Sequence, residues 1–177
     1  MNLIYTITSS VIIPHGITDL THCKKQNLIY LLLTYILSFI FVITVSYINQ
    51  YFHIVTFLIS SLIHFKDDFI YLNYSNIISF LLSSLIIIIP IFMTIFDLLY
   101  FAEIFILSYM IILHVPLHYK KVSIKRIDII TIVLLSIIMG LYIPSILIYI
   151  ENNNLNSFEC KSLISLVLGH TIWNKYK

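Results

Sequence analysis

Long apolar runs broken by short polar clusters set the pattern of this chain. Leu28–Ile48, Asn76–Phe96 and Ile127–Ile150 each reach the length of about 20 residues that a helix needs to cross a bilayer. Phe52–Phe65 and Glu103–Tyr119 are shorter and span only by sharing a thin or polar boundary with their neighbours. Met1–Ile13 and Leu163–Trp173 are shorter still. Many of these runs are rich in Ile, Phe and Tyr, which in water favours strands. In lipid an open sheet leaves its edge groups unsatisfied, and no run here alternates polar with apolar as a barrel requires. The pattern therefore predicts an all-α integral membrane protein, a bundle of about 5–7 transmembrane helices formed by one polytopic domain over residues 1–177. The N-terminal run lacks the basic flank and small-residue cleavage site of a signal peptide, and reads as a retained short helix.

Composition narrows the class. Apolar and aromatic residues make up 60% of the chain and charged residues 10%, with a mean hydropathy of +1.01. A soluble domain carries about 25% charged residues, so a soluble enzyme and a disordered tail are excluded. Ten basic against eight acidic residues leave no basic stripe for a nucleic-acid partner. Cys23 and Cys160 lie far apart and form no metal or redox motif, and the Asn-rich patch at residues 151–156 reads as a short polar loop.

The placement of Lys and Arg orients the bundle, because these residues stay on the cytoplasmic side of a membrane. With seven alternating segments, Lys24, Lys25, Lys66, Lys120, Lys121, Lys125, Arg126, Lys175 and Lys177 fall on one side and only Lys161 on the other. The N-terminus is expected outside and the C-terminus in the cytoplasm. On the same map six of the seven histidines collect at the cytoplasmic face: His15, His22, His64, His114, His118 and His170. Only His53 lies opposite, where a solvated headgroup contact is expected. Ionisable groups at membrane depth are costly and usually face the bundle interior.

The spacings suit a metal site. His114 and His118 are four apart, so on a helix their rings share a face. Pro116 between them removes a backbone bond and is expected to kink the helix there. If Pro14 opens a helix, His15, Asp19 and His22 share a face, and a carboxylate there can take one ring N–H and fix a tautomer. Asp67 and Asp68 offer His64 a similar partner, or form a solvated loop. His170 beside Trp173 is either a member of the site or an anchor in an aromatic belt. Asp97 and Glu103 look like the polar boundary of a hairpin on the outer side. Imidazole ligands suit Zn, Cu, Fe and Ni, and a metal held by neutral histidines in an apolar bundle suits O2 chemistry on a lipid-soluble substrate.

Three runs, IIPHGITDLTH (12–22), SSLIHFKDD (60–68) and LHVPLHYKK (113–121), together resemble the Brp/Blh family of membrane β-carotene 15,15'-dioxygenases, with this chain a divergent, short member. The resemblance implies an all-helical membrane protein holding non-haem Fe(II) through His15, His64, His114 and His118. It implies central cleavage of β-carotene by O2 to two retinal molecules, with product delivered to a rhodopsin. Asp19 and His22 match the rest of the first motif and are expected as support, as are Asp68 and His170 from their positions. Phe65, Tyr109 and Tyr119 lie near the implied ligands and either line the polyene path or serve ordinary membrane packing. Two other readings stay open. One is a non-enzymatic or degenerate multi-pass protein. The other is a membrane di-iron hydroxylase or desaturase, which generally needs about eight histidines with adjacent pairs, whereas this chain has no His-His pair.

Overall fold

A computed structural model describes Gly16, Asp19, Cys23, Lys24, residues 27–49 and 51–122, Ile129, Ile130, Val133, Leu134, Ile137, Ile138 and residues 157–176. The described residues are helical wherever they are regular, and no strand occurs among them. Helix α1 is Leu28–Ile48, α2 Phe52–Tyr71 and α3 Asn76–Ile95. Helix α4, Leu99–Tyr109, runs through a π-helical turn at Met110–His114 directly into α5, Val115–Val122. Helix α6 is Phe158–Tyr176. Leu28–Ile48, Asn76–Ile95 and the continuous rod Leu99–Lys121 are long and apolar enough to cross a membrane.

Local chemistry fixes the turns. Asn73 and Asp97 both adopt left-handed backbone, φ 67° and 59°, a conformation that short polar side chains tolerate. At each, two backbone bonds close the helix end: Tyr74 N–H to Phe69 and Asn73 N–H to Ile70 after α2, Leu98 N–H to Met93 and Asp97 N–H to Thr94 after α3. This is the Schellman arrangement, which satisfies the last carbonyls of a helix. Ser75 caps α3 by accepting from the Ile78 N–H. Asp97 is thus the exposed hairpin residue expected of it.

Three boundaries differ from the sequence expectation. The short run Phe52–Phe65 is part of a 20-residue helix reaching Tyr71, so Asp67 and Asp68 lie on helix and not in a solvated loop. Glu103–Tyr119 lies inside the longer rod. Leu163–Trp173 grows to a 19-residue helix. Met1–Ile13 lies outside the described residues, as does most of Ile127–Ile150, whose six described residues are helical and exposed.

Helix α2 sits at the middle, touching α1, α3, α6 and the π turn, while α6 packs along α1 and α3 along α4. The packing inverts that of a water-soluble domain. Ser38 and Ser46 of α1, Ser60 and Ser61 of α2, and Ser79 and Ser83 of α3 are buried, whereas Ile, Leu and Phe crowd the outside. Small residues let helix backbones approach where lipid removes the hydrophobic drive for association. The buried hydroxyls of Ser38, Ser60 and Ser83 return to carbonyls three or four residues back in their own helices. Among the described residues an apolar knot forms from Phe69, Tyr109 and Met110, with Phe65, Leu82, Ile86, Ile106 and Leu113 packed on it.

Candidate metal centre

The C-terminal ends of α2, α5 and α6 meet, and each carries its histidines there: His64 on α2, His114 on the π turn with His118 on α5, and His170 on α6. All four rings are buried. His64, His118 and His170 each place one ligand atom within 4.8 Å of the others. His114 joins beside His64, with the two Nε2 atoms 3.2 Å apart. Two nitrogens bound to one ion at about 2.1 Å stand about 3.0 Å apart at a right angle and about 3.4 Å at a tetrahedral angle, so this spacing fits ligands of a shared ion.

The π turn explains how His114 gets there. Pro116 has no N–H to give to Ile112, and the chain widens just before it, with Val115 N–H donating to Met110 five residues back. Such turns insert one residue into a helix and are frequent at functional sites. A widened turn thus stands immediately before Pro116, where a break in regular helix is expected. The His114 and His118 rings stay on one side, 5.9 Å between centroids.

A carboxylate stands behind each of two rings. Nδ1 of His114 lies 2.6 Å from Asp68 Oδ2. An ionised carboxylate only accepts, so Nδ1 carries the proton and Nε2 keeps the lone pair that a metal needs. Tyr109 donates its hydroxyl to the same oxygen at 2.8 Å, and Lys121 reaches the other oxygen at 3.1 Å. Asp68 is 1% exposed, and three donors offset the cost of burying its charge. The second carboxylate repeats the pattern. Nδ1 of His170 lies 2.6 Å from Asp19 Oδ2, and Tyr35 donates to that same oxygen at 2.9 Å. A methyl group on Gly169 would stand 2.7 Å from the Tyr35 ring, so the absence of a side chain there lets α1 and α6 close up.

The expected site residues distribute as follows. His64, His114 and His118 converge, with Asp68 behind His114 and not His64. Asp19 holds His170. His15 and His22 lie outside the described residues. His170, expected as support, contributes to the group that can hold an ion, and Trp173 beside it is buried, which removes the aromatic-belt reading. Tyr109 is committed to Asp68, and Phe65 packs edge-on against both Tyr109 and His114, 5.0 and 5.4 Å between centroids. Tyr119 is half-buried. His53 is fully buried in the first turn of α2, contrary to a solvated headgroup contact. Tyr35, Lys121 and Asn174 were not legible as site residues. Asn174 places its amide nitrogen 3.1 Å from His170 Nε2 and 3.3 Å from Nδ1. Lys175 pairs with Asp67 at the solvent-facing edge. No protein-family model, curated protein or solved structure matches this chain.

Proposed function

We propose that this chain is a multi-pass membrane oxygenase that holds one Fe(II) with its histidine cluster at the cytoplasmic face and cleaves β-carotene centrally. The observation that carries the reading is the meeting of His64, His118 and His170, from three separate stretches of chain, within 4.8 Å of one another, with His114 Nε2 3.2 Å from His64. The three sequence motifs add the carotenoid substrate. The alternation of helices with Lys66, Lys120, Lys121 and Lys175 near the histidine end adds the orientation. The lack of any adjacent His-His pair in the sequence favours a mononuclear centre over a di-iron one.

Bound there, Fe(II) supplies the activation of O2. The protein's own contribution is positional. Asp68 and Asp19 hold His114 and His170 in the tautomer that leaves Nε2 basic. The Tyr109 and Tyr35 hydroxyls keep those carboxylates from turning away. The apolar outer face accepts a carotenoid directly from lipid, and Phe65 sets an aromatic wall beside His114. The central C=C bond breaks and each of its carbons takes one atom of O2, so β-carotene and O2 balance to two retinal molecules, which a rhodopsin in the same membrane can take up. Retinal is expected to accumulate, with loss of orange colour, when the chain is expressed in iron-replete, carotene-making bacteria. A retinal yield unaltered by His114→Ala and His118→Ala, or no retinal from the folded wild type, defeats the proposal.

A further inference from the structure

We infer that His170 is itself a ligand to the metal, and that the ion ties the last helix, α6, to the rest of the bundle. The inference rests on the metal reading above and deepens it, because the sequence motifs end at Lys121 and leave open what fastens α6 to the site. Three observations lead there. First, His170 is in the group with His64 and His118, its ring centroid 4.8 and 5.0 Å from theirs. Second, the Nδ1–H of His170 donates to Asp19, so Nε2 carries the ring's lone pair, and an ion bound there takes the place of the Asn174 amide 3.1 Å away. A ring already held in one tautomer by a buried carboxylate, itself held by Tyr35, is the arrangement that supports metal-bound histidine. Third, the three ligand atoms lie within 4.8 Å of one another, near the separation of about 3.0–3.4 Å that ligands of one ion at about 2.1 Å adopt. An ion bound by all three holds α6 to α2 and α5 through His170. Binding energy becomes docking energy for this helix, as in other sites where metal and fold are coupled.

Position 173 provides a direct reporter. Trp173 is the only tryptophan in the chain, is buried, and lies one helical turn past His170. Co(II), whose d–d bands quench nearby indole emission, is the probe for the purified full-length chain in detergent. In the wild type, Co(II) is expected to quench Trp173 with saturation at one equivalent and to give visible d–d absorption. His170→Gln, which keeps size and polarity, should weaken Co(II) binding by tenfold or more and change the d–d bands. Asp19→Asn should weaken it by about 10–100-fold, the range for a lost orienting partner, with the d–d bands of a histidine ligand retained. Circular dichroism checks that each variant is folded, and Asp19→Asn decides the matter should His170→Gln fail that check. Wild-type affinity and an unchanged spectrum in His170→Gln, or wild-type affinity in Asp19→Asn, overturn the role of His170 while leaving a metal site on His64, His114 and His118. A folded wild type that binds no Co(II) overturns both readings.

Discussion

Asp68→Asn tests the wiring of the site most sharply, because the carboxylate receives three donors and gives none. Oδ2 takes His114 and Tyr109, and Oδ1 takes Lys121. An amide has only one acceptor oxygen. Its lowest-energy placement keeps that oxygen toward His114 and Tyr109 and turns the NH2 group on Lys121, donor against donor. The two retained bonds also fall from charge-assisted to neutral, a loss of about 1 kcal/mol each. Lys121 is 26% exposed on its side chain, so its share is screened to about 1 kcal/mol. Relief of the buried charge returns part of this total, leaving a net loss of about 2 kcal/mol. For a chain of this size that lowers Tm by about 4–8 °C, which the emission of Trp173 can follow in detergent. Lys121→Met alone is expected to cost about 1 kcal/mol, and adding it to Asp68→Asn should cost less than that, since only its contacts with the Asp67 carbonyl at 3.3 Å and the Tyr71 ring at 5.1 Å remain to be lost. Co(II) affinity should fall about 10–100-fold in Asp68→Asn as the His114 ring is released. Strict additivity of the two substitutions, within about 0.3 kcal/mol, refutes the direct pairing. An unchanged Tm in Asp68→Asn refutes the account of its burial.

Two other substitutions probe how the helices present these groups. Gly169→Ala puts a methyl 2.7 Å from the Tyr35 ring, so α1 and α6 must separate or Tyr35 must leave Asp19; a loss of about 1–3 kcal/mol with weakened Co(II) binding is expected, and wild-type values for both contradict it. Pro116→Ala restores an N–H that can reach Ile112 and lets the π turn relax to regular helix, so stability should rise by about 1–3 kcal/mol while Co(II) affinity drops at least tenfold. A gain in stability with undiminished affinity would show that the π turn does not aim His114.

The helices were legible because their apolar runs are long, and the His114–His118 pair was legible because four residues make one turn. Boundaries were harder to read. Ending a helix at Phe65 follows from treating Lys66, Asp67 and Asp68 as solvated, but Asp68 continues the helix because its charge is consumed inside by partners 41, 46 and 53 residues away. Nothing local to Asp68 announces them. His170 suffers the same way: its carboxylate is 151 residues distant in sequence, and next to a tryptophan it looks like an interfacial anchor. Tyr35 and Tyr109 sit in apolar helices where tyrosine is ordinary, and only the fold brings their hydroxyls to carboxylates. Pro116 did signal a break in regular helix, yet a missing N–H alone does not choose between a kink and a widened turn.

The two carboxylates argue against a purely architectural purpose for this cluster. Asp19 and Asp68 come from different stretches of chain, yet each gives one Oδ2 atom to a histidine Nδ1 and a tyrosine hydroxyl together. Burying such groups inside an apolar bundle is expensive, and apolar side chains of similar volume are often neutral or better for stability. Helices in lipid associate readily through small residues, and the buried serines of α1, α2 and α3 supply these without any charged network. What the repeated wiring does accomplish is to hold two imidazoles at Nδ1, with His114 Nε2 3.2 Å from His64 Nε2 and the His170 ring beside those of His64 and His118. A bundle held only by packing has no use for that arrangement; a bound cation does.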